Sequence, residues 1–217
     1  MTTTQYLRLG FVVLGLAIWF LSQWLLRYRP NGTGQLGDGL HAATRRVYAF
    51  LAANPKCANA LLIASSFLID LLGLFILVHS IFGPSFQPFV GLLMLFLTRQ
   101  ICQALCALPP PAEMIWRSPG FPTLLVTYGV SNDLFFSGHT AIAVYGAIQL
   151  GQWGGAGWAI VGAFIALFEI FTVIALRAHY TMDVFTGAIT AVLAAIVAAR
   201  IGPTCDEWLG RLATMLT

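Results

Sequence analysis

The stretch Ala58–Phe82 reads ANALLIASSFLIDLLGLFILVHSIF, and Asp70 is its one acidic or basic side chain apart from His79. Crossing the hydrocarbon core of a bilayer takes roughly 20 apolar residues as a helix, and this run exceeds that length. Similar runs recur on both sides of it. We read six spans: Leu7–Leu26, Ala58–Phe82, Phe86–Leu108, Asp133–Leu150, Trp158–Leu176 and Met182–Ile201. The composition agrees, because 59% hydrophobic and 9% charged residues in a chain of 217 leave no ordinary water-facing surface. The fold expected is all-α, a polytopic membrane bundle of six transmembrane helices.

The first span is not read as a cleaved signal. Its apolar run is long and ends in Trp24, Arg27, Tyr28 and Arg29, an interfacial flank rather than a small-residue cleavage site. Between the first two spans, Leu40, Ala43, Val47, Phe50 and Leu51 recur at helical spacing, with Arg45 and Arg46 elsewhere on the wheel. That pattern predicts a helix over His41–Ala53 lying in the interface. Cys205–Leu216 is expected to form a further short interfacial helix.

The short connections at Gly83-Pro84 and at Gly151–Gly157 must share one face of the bilayer. The connector 27–57, the long loop 109–132 and the junction around His179 then share the other. Cys57, Cys102, Cys106 and Cys205 lack zinc spacing, and the one-turn separation of Cys102 and Cys106 argues against a disulfide. A net charge of +3, dispersed along the chain, gives no argument for nucleic acid and suits contact with lipid phosphates.

On the second face, near the start of the fourth span, stands Ser137-Gly138-His139-Thr140. A glycine at a helix N-terminus offers free amides and the positive end of the helix dipole to a phosphate oxygen. The plainer alternative is a helix cap beside an interfacial histidine. The fifth-to-sixth junction reads Arg177-Ala178-His179-Tyr180-Thr181-Met182-Asp183. On a helix, four-residue spacing puts His179 and Asp183 on one face, where the carboxylate can hold the imidazole tautomer of a nucleophile. The alternative is a His and Asp reaching for headgroups.

Arg99 lies in the third span toward the same face. An arginine in the membrane costs about 2.5 to 3.5 kcal/mol on insertion scales, so it needs an anion or a watery cavity, and its planar fork suits phosphate. A structural ion pair with Asp70 or Glu169 is the competing account. Glu169 also stands where it can line the cavity. His41 and His79 have no motif around them and read as interfacial or packing residues.

Asn132-Asp133-Leu134-Phe135-Phe136-Ser137-Gly138-His139-Thr140, followed by His179-Tyr180-Thr181-Met182-Asp183-Val184, resembles the sphingomyelin synthase-related branch of the lipid phosphate phosphatase superfamily. Arg99, followed by Leu108-Pro109 and Pro111, is similar as well. The resemblance covers about residues 99–187, the core motifs of what we read as one integral membrane catalytic domain over 1–217. Where the wider superfamily has a proline before Ser-Gly-His and an arginine six residues before the second histidine, this chain has Phe136 and Val173.

The resemblance implies a phosphotransferase that needs no metal or other cofactor and works in two steps. His179 is similar to the nucleophile that becomes a phosphohistidine, Asp183 to its orienting partner, and His139 to the acid and base serving the two alcohols. Arg99, Arg177, Ser137 and Gly138 would meet the phosphate, and Tyr180 and Asp133 would face substrate, Asp133 having a helix cap as its alternative role. The partners expected are a phospholipid donor in the bilayer and a lipid alcohol such as diacylglycerol or a ceramide. Water as acceptor would make the protein a phosphatase or phospholipase C-like hydrolase, and a transporter or scaffold is the non-enzymatic alternative. The resemblance faces the site away from the cytoplasm, whereas Arg27, Arg29, Arg45, Arg46, Lys56 and Arg117 on that face argue for the opposite orientation.

Overall fold

The computed structural model describes residues 1–28, 34, 36–128 and 134–216. Every element among them is a helix: α1 (Thr3–Leu26), α2 (Gly39–Ala43), α3 (Arg45–Ala53), α4 (Pro55–Phe82), α5 (Gln87–Leu105), α6 (Gly138–Gly154), α7 (Ala156–Ala175) and α8 (Thr181–Met215). The run that decides the fold becomes α4. Pro55 opens it in the first turn, where a missing N–H leaves no bond unmade, and Gly83 closes it. Its stripe Ala58, Leu62, Ser65, Ile69, Leu72 and Ile76 is buried at three- and four-residue spacing. Its other face shows Phe67, Leu71, Leu74 and Val78. A helix apolar all round and half covered by protein needs an apolar solvent on the rest.

Five helices, α1, α4, α5, α7 and α8, are long and apolar enough to cross a membrane. α6 falls short at 17 residues, about 25 Å of rise. It begins at Gly138, because residues 134–137 run outside the helix and Ser137 caps it. The helix expected as the fourth span therefore starts later than the expected Asp133, which itself lies outside the described residues.

Two other expectations change. The stretch expected as one interfacial helix is two, α2 and α3, divided at Thr44. Both touch the bundle: α3 packs on α4 and α7, and α2 on α7 and α8. The separate helix over Cys205–Leu216 is instead the continuation of α8, unbroken through Pro203. An interior proline costs about 3 kcal/mol, and tertiary anchoring offsets it. Asp206 accepts hydrogen bonds from Arg8 Nη2 (2.8 Å), the Phe86 amide (2.8 Å) and Ser85 Oγ (2.5 Å), tying the tail of α8 to α1 and to the α4–α5 turn.

These contacts define one end of the bundle, with Arg8 also donating to the Gly83 carbonyl at 2.7 Å. The opposite end carries α2, α3, the loop after α5 and the α7–α8 junction, the division expected from the turn lengths. The central packing runs through α4, α5, α6 and α8, where Tyr145 is wholly buried and its hydroxyl donates to the Pro88 carbonyl at 2.9 Å.

Candidate active site

At that second end, the start of α6 and the start of α8 meet. The Ser137 amide donates to the carbonyl of Asp183 at 3.1 Å, locking the Ser-Gly-His turn onto the first turn of α8. Ser137 Oγ in turn accepts from the amide of Thr140 (3.3 Å) and from its hydroxyl (3.1 Å). Both groups of Ser137 are thus committed to structure, and it is Gly138 and His139, the first residues of α6, that line the cavity.

Gly187 makes this junction possible. A Cβ there would stand 2.7 Å from the Ser137 carbonyl oxygen, closer than such contacts occur. Gly187→Ala must push α8 off α6. The expected result is a loss of stability of about 1–3 kcal/mol, from overpacking. Thermal unfolding in lipid nanodiscs checks it.

His179 precedes α8 rather than lying on it. Tyr180 is extended (φ −74°, ψ 158°) and serves as N-cap, so His179 and Asp183 meet across a helix start instead of along a helical face. Asp183 is fully buried, and its Oδ2 accepts from the Tyr180 amide at 2.9 Å and stands 3.6 Å from His179 Nδ1. That separation exceeds a hydrogen bond; catalytic bonds of this kind commonly tighten only when substrate is present. With Nδ1 turned to the carboxylate, Nε2 is the ring atom left for chemistry.

His139 sits in the first turn of α6, its ring edge-on to Trp116 at 4.9 Å. Arg99 is buried in α5, and its Nε donates to the Phe136 carbonyl at 3.0 Å. Gly138 leaves space for that guanidinium, since a Cβ there would come within 3.1 Å of Arg99 Nε. Arg99, Gly138, His139, His179, Trp19 and Trp116 line one cavity of about 50 Å³. Pockets that hold organic ligands run to roughly 300 Å³ or more, so a headgroup needs the walls of this cavity to move apart. Within it, His139 Nε2 and His179 Nδ1 are buried with no hydrogen-bond partner among the described residues, as is Asp183 Oδ1 beside them. The unpartnered Nε2 of His139 is what a group that exchanges a proton with a substrate is expected to show.

The other expected site residues lie elsewhere. Arg177 has a left-handed backbone (φ 53°), pairs with Glu113 at 2.8 Å and lies 3.8 Å from the Tyr48 ring, outside the cavity lining. Glu169 faces α4, accepting from Ser65 Oγ at 2.6 Å, and Asp70 accepts from the amides of Leu124 and Leu125. Both acids offered as ion-pair partners for Arg99 thus have other donors. Tyr180 stacks on His41 at 5.8 Å.

Trp116, Trp19 and Asp38 stand outside the motifs read from the sequence, and His41, read there as an interfacial or packing residue, lies against the carbonyl of His179. Trp116 meets His139 from 23 positions away in sequence, a contact with no periodic signal. Asp38 did carry one: an Asp before Gly-Leu-His is a helix-cap pattern, and its carboxylate accepts from the Leu40 and His41 amides.

The AtPDCT1/2 family model matches residues 38–200, well over half of the chain and every described residue of the site apart from Trp19 and Gln23 of α1. No curated protein and no solved structure matches it.

Proposed function

We propose, from the premise that the chain belongs to the AtPDCT1/2 family, that it is a phosphatidylcholine:diacylglycerol cholinephosphotransferase acting through a phosphohistidine intermediate. The family is one of membrane lipid headgroup phosphotransferases related to sphingomyelin synthases. The observation that carries the mechanism is the gathering of His179, His139 and Arg99 around one cavity, with Asp183 beside the far nitrogen of His179.

In the first step Nε2 of His179 attacks phosphorus and a new N–P bond forms. The bond from phosphorus to the diacylglycerol oxygen breaks, and protonated His139 gives its proton to that oxygen. In the second step, His139, now neutral, takes the proton of an incoming diacylglycerol hydroxyl as its oxygen attacks phosphorus. The N–P bond breaks and His179 is restored. Asp183 stabilises the positive ring that exists between the two steps. Arg99 and the amides at the start of α6 meet the charge on the phosphoryl oxygens.

The test is transfer in nanodiscs, with phosphatidylcholine labelled in its headgroup and a diacylglycerol of different acyl composition, beside His179→Ala. Label on the second lipid, absent with the variant, supports the transferase. Free phosphocholine would make water the acceptor and the enzyme a hydrolase. No turnover over a broad set of lipids would return the transporter or scaffold reading.

Under this reading the site faces away from the cytoplasm. Cys57 is exposed in the first turn of α4, at the site end of the bundle. A membrane-impermeant maleimide added to intact cells is expected to label it, and Cys57→Ser to abolish that signal. Labelling only after permeabilisation would put the site on the cytoplasmic face.

A further inference from the structure

The α7–α8 junction is held from outside the catalytic motifs. The Asp38 carboxylate bridges two helix starts: Oδ1 accepts from the Leu40 and His41 amides at the start of α2, and the same carboxylate accepts from Thr181 at the start of α8. The Thr181 amide reaches Oδ2 and its hydroxyl reaches Oδ1, both at 2.6 Å. His41 Nε2 lies 2.9 Å from the carbonyl of His179, and its ring stacks on Tyr180. Three consecutive residues are therefore gripped, His179 at its carbonyl, Tyr180 at its amide by Asp183, and Thr181 at amide and hydroxyl. The chain just before them has the left-handed backbone of Arg177, which a non-glycine residue adopts only when its surroundings hold it there.

We propose that Asp38 and His41 are positioning residues, a strap across the junction that fixes the His179 ring against Asp183 and toward the cavity. The inference rests on the reading of His179 as nucleophile. A ring that must attack phosphorus in line gains from a backbone fixed on both sides, because a misplacement of about 1 Å can cost on the order of 10²-fold in rate. Neither residue reaches the cavity lining, so each acts through His179 and not on substrate.

The chemistry of Asp38 suits the task. Burial opposes its ionisation, but the Thr181 hydroxyl and amide, the His41 amide and the nearby His41 charge outweigh that, and its carboxyl titrates below the ordinary carboxylate range. The carboxylate is thus present at neutral pH. Its contribution holds above the unfolded-state value and is lost only as pH falls through the lowered one.

The test uses the full-length protein in lipid nanodiscs, with turnover and donor KM measured beside the ¹⁵N resonances of the histidine rings. Asp38→Ala is expected to lower turnover on the order of 30- to 100-fold with donor KM within about twofold, as for misplacement of a reacting group. It should also displace the His179 ring resonances while leaving those of His79, at the other end of α4, in place. Thr181→Ser and His41→Gln, which keep a donor, are expected to retain most of the parent rate, and Thr181→Val and His41→Ala to lose it. If Asp38→Ala does not accumulate as folded protein, the His41→Ala and His41→Gln pair decides the matter. Unchanged turnover with unchanged His179 resonances overturns the strap. Should the parent protein transfer no headgroup, the reading of His179 as nucleophile falls, while displacement of its resonances, or their constancy, still supports or overturns the strap.

Discussion

His179→Ala is expected to abolish headgroup transfer, lowering kcat on the order of 10⁴-fold or more, because it removes the nucleophile of the proposed covalent intermediate while His139 is committed to proton transfer. Asp183→Asn should cost less, about 10²- to 10⁴-fold, since the ring remains but loses the carboxylate that steadies its charge. His139→Ala belongs in the same range, which is that of a lost general acid. The three can be told apart by the leaving group. A nitrophenyl ester of phosphocholine expels an oxygen that departs without a proton, so His139→Ala is expected to recover the first step with this donor and to accumulate an acid-labile phosphoenzyme. His179→Ala should recover nothing. Recovery by His179→Ala, or none by His139→Ala, would reverse or dissolve the assigned roles.

The membrane character of the fold was legible because burying roughly 20 consecutive apolar residues in lipid leaves a signal in composition alone. Helix ends were less so. Leu134, Phe135 and Phe136 read as the first turn of the fourth span, yet Phe136 is wholly buried outside α6 and its carbonyl accepts from Arg99. Apolar content says that a segment leaves water; it does not say whether the segment enters lipid or protein. Pro203 and the tail of α8 make the same point, since the contacts that sustain the helix come from Arg8, 198 positions away.

Within the candidate site, the motif residues could be named from order and spacing, and their geometry could not. The four-residue spacing of His179 and Asp183 suggested a helical face, and the chain achieves the encounter through an extended N-cap. Arg177 stands beside His179 in sequence, but a single left-handed residue turns its side chain to Glu113. Asp38 and Thr181 meet across 143 positions. Contacts of that separation depend on how the helices pack, which no local pattern encodes.

The second large effect is expected at Arg99, where one side chain joins structure to electrostatics. Its Nε–H holds the Phe136 carbonyl just ahead of the Ser-Gly-His turn, while the guanidinium stands in the cavity wall with both histidines. A charge fixed in such low-dielectric surroundings acts on developing phosphoryl charge with no reorganisation, and arginines placed this way contribute about 10³- to 10⁵-fold. Arg99→Met is expected to lower kcat about 10³-fold and to cost about 1–3 kcal/mol of stability, as a buried carbonyl loses its donor. Arg99→Lys keeps the charge and loses the fork, so its kcat should fall between Met and parent. A Lys variant as active as the parent would reduce the role to charge alone, and a Met variant of normal activity would leave Arg99 purely structural. Gly138→Ala supplies an independent check. Its Cβ displaces the guanidinium by contact, so its effect on activity should largely vanish in the Arg99→Met background, where no guanidinium is left to displace.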